Sequence, residues 1–350
     1  MREILSEVLD QLLSGEPFVL VGIVTEHGST PRAAGTQMLV RGDGSIVGTI
    51  GGGLLEATMI RDAGEVLASG RSRVGTIALE GRSVADASML CGGRAEMLMA
   101  YVPGGDAHLL EVLRALAGAQ DEGRPAWLYT FFRLAPDTVD VSDLAYAVLG
   151  EDEAVAGDPP CSPELLRTLA GRLAAHGVAE LPDGTSVVVE TILPPNVLVI
   201  CGAGHVAVAL APAAAAVGFE VVVVDDRPDF AAPERFPSAT RVHPIDGFEC
   251  AFDDVGLGPR SYVVVVTRGH EHDYTVVEQA LRSDARYIGL MGSKAKRAKI
   301  LQALTEAGFS SADLERLHTP IGIAIGAETP AELAVSITAE LIRVRAETAR

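Results

Sequence analysis

Cysteine is scarce: Cys91, Cys161, Cys201 and Cys250 are the only four in 350 residues, and no two form a C-x-x-C pair. That excludes zinc fingers, cysteine-run iron–sulfur sites and a dense disulfide framework, and it fits a reducing cytoplasm. Lysine is scarcer still, with only Lys294, Lys296 and Lys299. Basic residues number 28 against 47 acidic ones, a net charge of −19. This is the wrong sign for a surface that neutralises nucleic acid phosphates or anionic membrane, so neither partner is expected. G-x-S-x-G, H-E-x-x-H, P-loop and EF-hand patterns are missing, which leaves serine hydrolases, zincins, P-loop NTPases and calcium sensors without support. The opening MREILSEVLDQLLSG has neither an h-region nor a cleavage site, so no export is expected. The apolar stretch 197–224 is long enough on paper to cross a bilayer, but Gly202, Gly204, Pro212 and Gly218 punctuate it. Its β-branched ends suit a buried strand–helix–strand unit instead.

The remaining composition, 48% hydrophobic and 21% charged, is that of a folded chain with room for two cores. Pro194-Pro195 marks a hinge, because neither residue can donate to a ladder. Domains are therefore expected at 1–193 and 194–350. Before the hinge, short strands and helices mix as in an α+β domain. A helix is expected over Ile4–Leu13, a hairpin over Gln37–Arg41 and Ser45–Ile50, and a helix over Leu54–Leu67. Further helices are expected over His108–Ala119 and Pro163–His176, with a surface loop over Gly150–Pro160. Past the hinge, strands and helices alternate, which predicts a Rossmann-like, doubly wound parallel sheet and an α/β class for the whole.

The motifs sit where such folds bind ligands. Gly202-x-Gly204-x-x-Ala207 follows an apolar strand and opens a helix, and Asp225 ends the next strand. In this pattern glycines let amides approach a pyrophosphate and the acid accepts from a ribose hydroxyl. The alternative is a turn retained for packing. His205, inside the turn, either faces the ligand or packs. Thr267-Arg-Gly-His270-Glu-His272-Asp273 follows the strand YVVVV. Here His270 and His272 suit ligand contact, acid–base work or a metal, and Asp273 suits a helix cap. Ser293 and Lys294 begin a lysine-bearing helix with the makings of a phosphate site, whereas Lys296 and Lys299 read as a solvated face. In the first half, Arg32 closes Gly28-Ser-Thr-Pro-Arg, and Gly51, Gly52 and Gly53 precede a helix whose amides could hold an anion. Cys91-Gly-Gly places a thiol where glycines would expose it, although a buried structural thiol fits as well.

GSTPRAAGTQMLV, GTIGGGLLEA, CGG, ICGAGHVAVAL, VVVVDDRP, TRGHEHD, YIGLMGSKAKR and TPIGIAIGAETPAELAVSI, in that order, resemble the XdhC/CoxI family of xanthine dehydrogenase and CO dehydrogenase accessory proteins. The resemblance implies a cytoplasmic maturation factor. It would bind the molybdenum cofactor (molybdopterin), protect it during sulfuration and deliver it to an apo-molybdoenzyme of the xanthine dehydrogenase family. It would have no catalytic cycle of its own. A cysteine desulfurase is a further expected partner, and Cys91 a contact for molybdenum or its sulfur. The apolar helix from Thr329 to Val344 suggests a homodimer, or else a monomer that buries it. The competing expectation is an NAD(P)-dependent oxidoreductase with His270 or His272 as acid and base.

Overall fold

The computed structural model describes residue 1 and residues 4–28, 32–78, 93–136, 138–173 and 176–347, except for the side chains of His270, Glu271 and Lys294. Two compact units divide the chain, Met1–Pro194 and Pro195–Arg350.

In the first unit, α1 (Leu5–Ser14) ends at Gly15 in the left-handed region and is followed by β1 (Phe18–His27), β2 (Gln37–Arg41) and β3 (Ile46–Gly48). Next come α2 (Gly53–Ser69), β4 (Arg73–Ala78), β5 (Arg94–Val102) and α3 (Ala107–Asp121). The unit closes with β6 (Ala126–Leu134), β7 (Val141–Gly150), β8 (Val155–Gly157), α4 (Pro163–Arg172), β9 (His176–Glu180) and β10 (Ser186–Ile192). Two five-stranded antiparallel sheets result, ordered β3-β2-β1-β5-β4 and β8-β7-β6-β10-β9. One core joins them: Leu20, Leu39 and Leu98 of the first sheet meet Leu128, Phe132 and Val188 of the second, together with Val8 of α1 and Leu113 of α3. The outer face of the first sheet packs on Leu55, Met59 and Val66 of α2, and that of the second on Leu166 and Leu169 of α4.

The expected hairpin forms, with Arg41 N–H bonded to the Ser45 carbonyl. Two expectations are corrected. The helix from Pro163 stops at Arg172, and His176 opens β9 instead. Within the expected surface loop Gly150–Pro160, β8 adds an edge strand to β7.

The second unit alternates as its sequence demands. It contains β11 (Asn196–Cys201), α5 (His205–Ala216), β12 (Phe219–Asp225), β13 (Arg241–Pro244), β14 (Ser261–Val265) and α6 (His270–Leu281). There follow β15 (Tyr287–Leu290), α7 (Lys294–Glu306), α8 (Ser311–Glu315), β16 (Leu317–His318) and α9 (Pro330–Glu347). Every pair in the sheet β13-β12-β11-β14-β15-β16 is parallel, in the strand order of a Rossmann fold. Alternate residues explain the continuous apolar runs. Val199, Val222, Val263 and Ile288 pack toward α6 and α7, whereas Leu198, Val221, Tyr262 and Tyr287 pack toward α5 and α9. The helix α9 starts on reciprocal bonds between Thr329 and Glu332, and its Ile337, Leu341 and Val344 pack with Leu210 and Ala214 of α5. Those residues are covered within their own unit, whereas Val335 and Ile342 of the same helix stay exposed. Among the described residues no helix is long and apolar enough to cross a membrane.

Candidate functional site

In the second unit β11, β12, β14 and β15 all end at one edge, and the switch point of the sheet lies between β11 and β14. Gly202 makes the turn out of β11 with φ +109°, and a Cβ there would sit 2.5 Å from the Val266 carbonyl oxygen. Both facts require glycine. Gly204 caps α5 with φ −77°, and a Cβ there would meet nothing within 4 Å. The space before the turn is open, so a larger side chain at Gly204 would crowd a ligand rather than the protein. His205, the first residue of α5, is exposed, and among the described residues no side chain caps the helix amides behind it.

Asp225 ends β12 and is 1% exposed. Its carboxylate accepts from Ala203 N (2.7 Å) in the glycine turn, from Arg227 N (3.0 Å), and from Arg227 Nε (2.7 Å) and Nη2 (2.8 Å). Burial works to raise its pKa, but the bonds from Arg227 and Ala203 outweigh it and hold the acid below its usual range. About four acceptor positions exist on a carboxylate, and all are taken. The neighbouring Asp226 grips both terminal nitrogens of Arg268, at 2.5 and 2.7 Å. The guanidinium of Arg227 lies 3.6 Å over the ring of Phe230.

The helix α6 begins at His270 with Gly269 as its cap. Asp273, expected to cap, lies instead within the first turn, where Thr267 Oγ1 donates to its Oδ1 at 2.7 Å and Lys296 Nζ pairs with its Oδ2. Lys296, expected on a solvated face, is thus drawn inward, and its Nζ also donates to the Met291 carbonyl (3.0 Å). The reason is that α6 and α7 start side by side at the same edge, within reach of one long side chain. His272 is half-buried, its ring 5.0 Å from that of Phe248. Ser293 caps α7 by accepting from Lys296 N (3.2 Å). Cys201 is fully buried, which pushes its thiol pKa up and leaves it inert. Among the described residues no group of three or more His, Cys, Asp or Glu side chains is arranged to hold a metal.

In the first unit, register gathers motifs that are distant in sequence. His27, the last residue of β1, and Ala78, the last of β4, both pair with Arg94, the first of β5. Gly48 at the end of β3 pairs with Met38 near the start of β2. The loop carrying Arg32, the Gly51–Gly53 run and the segment before β5 therefore all leave from one end of this sheet. Cys91 belongs to that segment but lies outside the described residues. Arg32 is exposed. Gly51, Gly52 and Gly53 have φ of 129°, 74° and 61°, a left-handed run that only glycine makes without strain. Thr49 Oγ1 secures the run by accepting from Gly51 N (3.2 Å) and donating to Glu56 (2.6 Å).

Three further polar residues went unread in the sequence. Gln37, His176 and Glu190 border a cavity of about 270 Å³ together with Arg32 and Gly35. The readable signal was Glu190 in SVVVETI, which shares a strand face with the core residues Val188 and Ile192. Similarly, Glu340 of α9 is 5% exposed in line with Ile337 and Leu341. It accepts from Tyr287 Oη (2.7 Å), Gly322 N (2.8 Å) and Arg343 (3.0 Å), with His318 at 3.5 Å.

Residues 198–341 match the XdhC Rossmann domain and residues 11–78 the XdhC and CoxI family, together more than half of the chain. YqeB, an uncharacterized protein of Escherichia coli K12, is 27% identical over 331 residues, 94% of this chain, and the chain spans only 44% of YqeB. A protein of Bacillus subtilis 168 named as a probable xanthine dehydrogenase component is 28% identical over 97% of this chain and 96% of its own length. The molybdenum cofactor insertion chaperone PaoD of Escherichia coli K12 is 26% identical over 98% of this chain and 88% of its own. A crystal structure described as a xanthine dehydrogenase from Bacillus halodurans aligns with a TM-score of 0.80 at 26% identity, covering 97% of this chain and 95% of that one.

Proposed function

The chain belongs to the XdhC and CoxI family, and on that premise we propose that it binds the molybdenum cofactor and supports its sulfuration and its insertion into an enzyme of the xanthine dehydrogenase type. It acts as a carrier, and its partner is the apo-molybdoenzyme. The observation that carries this reading is the similarity to a molybdenum cofactor insertion chaperone along nearly the whole chain, both units included. When bound, the cofactor supplies the metal and its sulfido ligand; the chain supplies binding and shelter.

The donor sets fit such an anionic, phosphate-bearing group. At the edge of the second unit the open turn at Gly202 and Gly204, the first turn of α5 at His205, and the cap at Ser293 would hold a phosphate through backbone amides, with His270, His272 and Lys294 starting the neighbouring helices. In the first unit Arg32 and the amides of Gly51, Gly52 and Gly53 would do the same. The place of Cys91 in the chain suits a thiol that meets molybdenum or its sulfur. A nicotinamide dinucleotide finds less support, because the acid that would take its ribose hydroxyl, Asp225, is already saturated by Arg227 and Ala203. Sulfuration implies a cysteine desulfurase as a second, transient partner.

The test is purification from a host that makes the cofactor and from one that cannot. Bound pterin is then read as its fluorescent oxidised derivative and molybdenum by mass spectrometry. Pterin and metal only from the competent host are the expected result; a folded protein devoid of both would overturn the reading.

A further inference from the structure

The 270 Å³ cavity of the first unit has an uncommon wall. A carboxylate placed on a core face, as Glu190 is at 6% exposure, costs several kcal/mol unless hydrogen-bonded. Its Oε1 accepts from Gln37 Nε2, and the amino group of Met1 lies 3.4 Å from Oε2. With about four acceptor positions, the carboxylate keeps capacity toward the cavity it borders. The amide of Gln37, oriented by its N–H bond to Glu190, leaves Oε1 buried with no partner among the described residues. His176 Nε2 lies 3.0 Å from the Val24 carbonyl, which can only accept, so in the neutral ring the proton sits on Nε2 and Nδ1 is an acceptor. That Nδ1 is likewise buried without a partner. Gly35, at φ +88°, lies so close that a Cβ there would be 2.9 Å from Nδ1, so only glycine fits beside the ring.

Glu190, Gln37 and His176 thus border one cavity, and Arg32 adds a cation to its wall. A ligand that satisfies them must bring several N–H donors on a compact, flat edge. The volume, near the low end of small-molecule sites at roughly 300 Å³, suits one small heterocycle. We propose that this cavity takes the 2-amino-4-oxopyrimidine edge of a pterin. The ring N–H and one N–H of the exocyclic amine would donate side by side to Glu190, leaving the second amine N–H for Gln37 Oε1 or His176 Nδ1. The choice of a pterin rests on the cofactor-carrier reading; guanine carries the same edge.

The isolated full chain is titrated with neopterin, followed by its own fluorescence, and with GMP by calorimetry. Saturable neopterin binding is expected, at least tenfold weaker in Glu190→Gln and at least threefold weaker in Gln37→Met. Circular dichroism melting reports whether each variant folds, and Gln37→Met decides the matter if Glu190→Gln does not. Absence of binding by the wild type, or wild-type affinity in the folded variants, overturns the proposal. Tighter binding of GMP than of neopterin overturns the pterin and assigns the cavity to guanine nucleotides. Pterin content after expression in a cofactor-competent host separates the two readings. Equal pterin in wild type and Glu190→Gln refutes the cavity and leaves the carrier function standing. No bound pterin, with neopterin affinity still dependent on Glu190, refutes the carrier and leaves the cavity.

Discussion

Nζ of Lys296, in the first turn of α7, is paired with the fully buried carboxylate of Asp273 in the first turn of α6. One side chain thereby fixes two helix starts at the sheet edge where the candidate ligand contacts lie.

Removing that cation should be costly. Lys296→Met leaves Asp273 buried and uncompensated, and the loss is expected at about 3–5 kcal/mol. In Lys296→Met with Asp273→Leu most of the stability should return, since no orphaned charge remains. Urea unfolding of the two variants checks this; an unchanged midpoint in the single variant would refute it.

The two glycines of the nucleotide-type turn should respond oppositely. Gly202→Ala forces a Cβ against Val266 at a positive φ and should destabilise by about 1–3 kcal/mol. Gly204→Ala meets open space at an ordinary φ and should change stability by no more than about 0.5 kcal/mol. Equal unfolding midpoints for the two variants would contradict this geometry.

Glu340 gives the second unit an acid limb. Burial works to raise its pKa, but bonding with His318, Tyr287 and Gly322 prevails and holds it at about 2, against a usual 4.5. A pKa depressed on folding stabilises fully above the usual value and ceases to do so as pH falls from 4.5 toward 2. The wild type should therefore lose up to about 3 kcal/mol across that window relative to Glu340→Gln. Parallel stability–pH curves for the two proteins would exclude such a contribution.

The alternation of the second unit was readable because both faces of its sheet are covered, so β11, β12 and β14 carry the apolar runs VLVIC, VVVV and YVVV. Around 104–184 the signal was weaker. The strand β9 is mostly half-buried and follows a helix whose apolar spacing drifts on past Arg172, and β8 is a three-residue edge. The individual motifs of the first unit were visible, but their gathering at one sheet end was not. It depends on β1 pairing with β5 across a gap of more than sixty residues, which no local pattern encodes. Buried charges were the remaining blind spot. Lys296 looks like any surface lysine until the neighbouring helix supplies Asp273, whereas Glu190 and Glu340 could have been flagged, each standing where its element's period calls for an apolar side chain.

Asp225 ties the glycine turn to β12, and Asp226 ties the same strand end to Arg268 beyond β14. The conformational entropy of ordering this edge is therefore lost when the chain folds, not when a ligand arrives. A molecule that bound at this turn would meet backbone already held by Asp225, and so would spend less of its binding energy on ordering it.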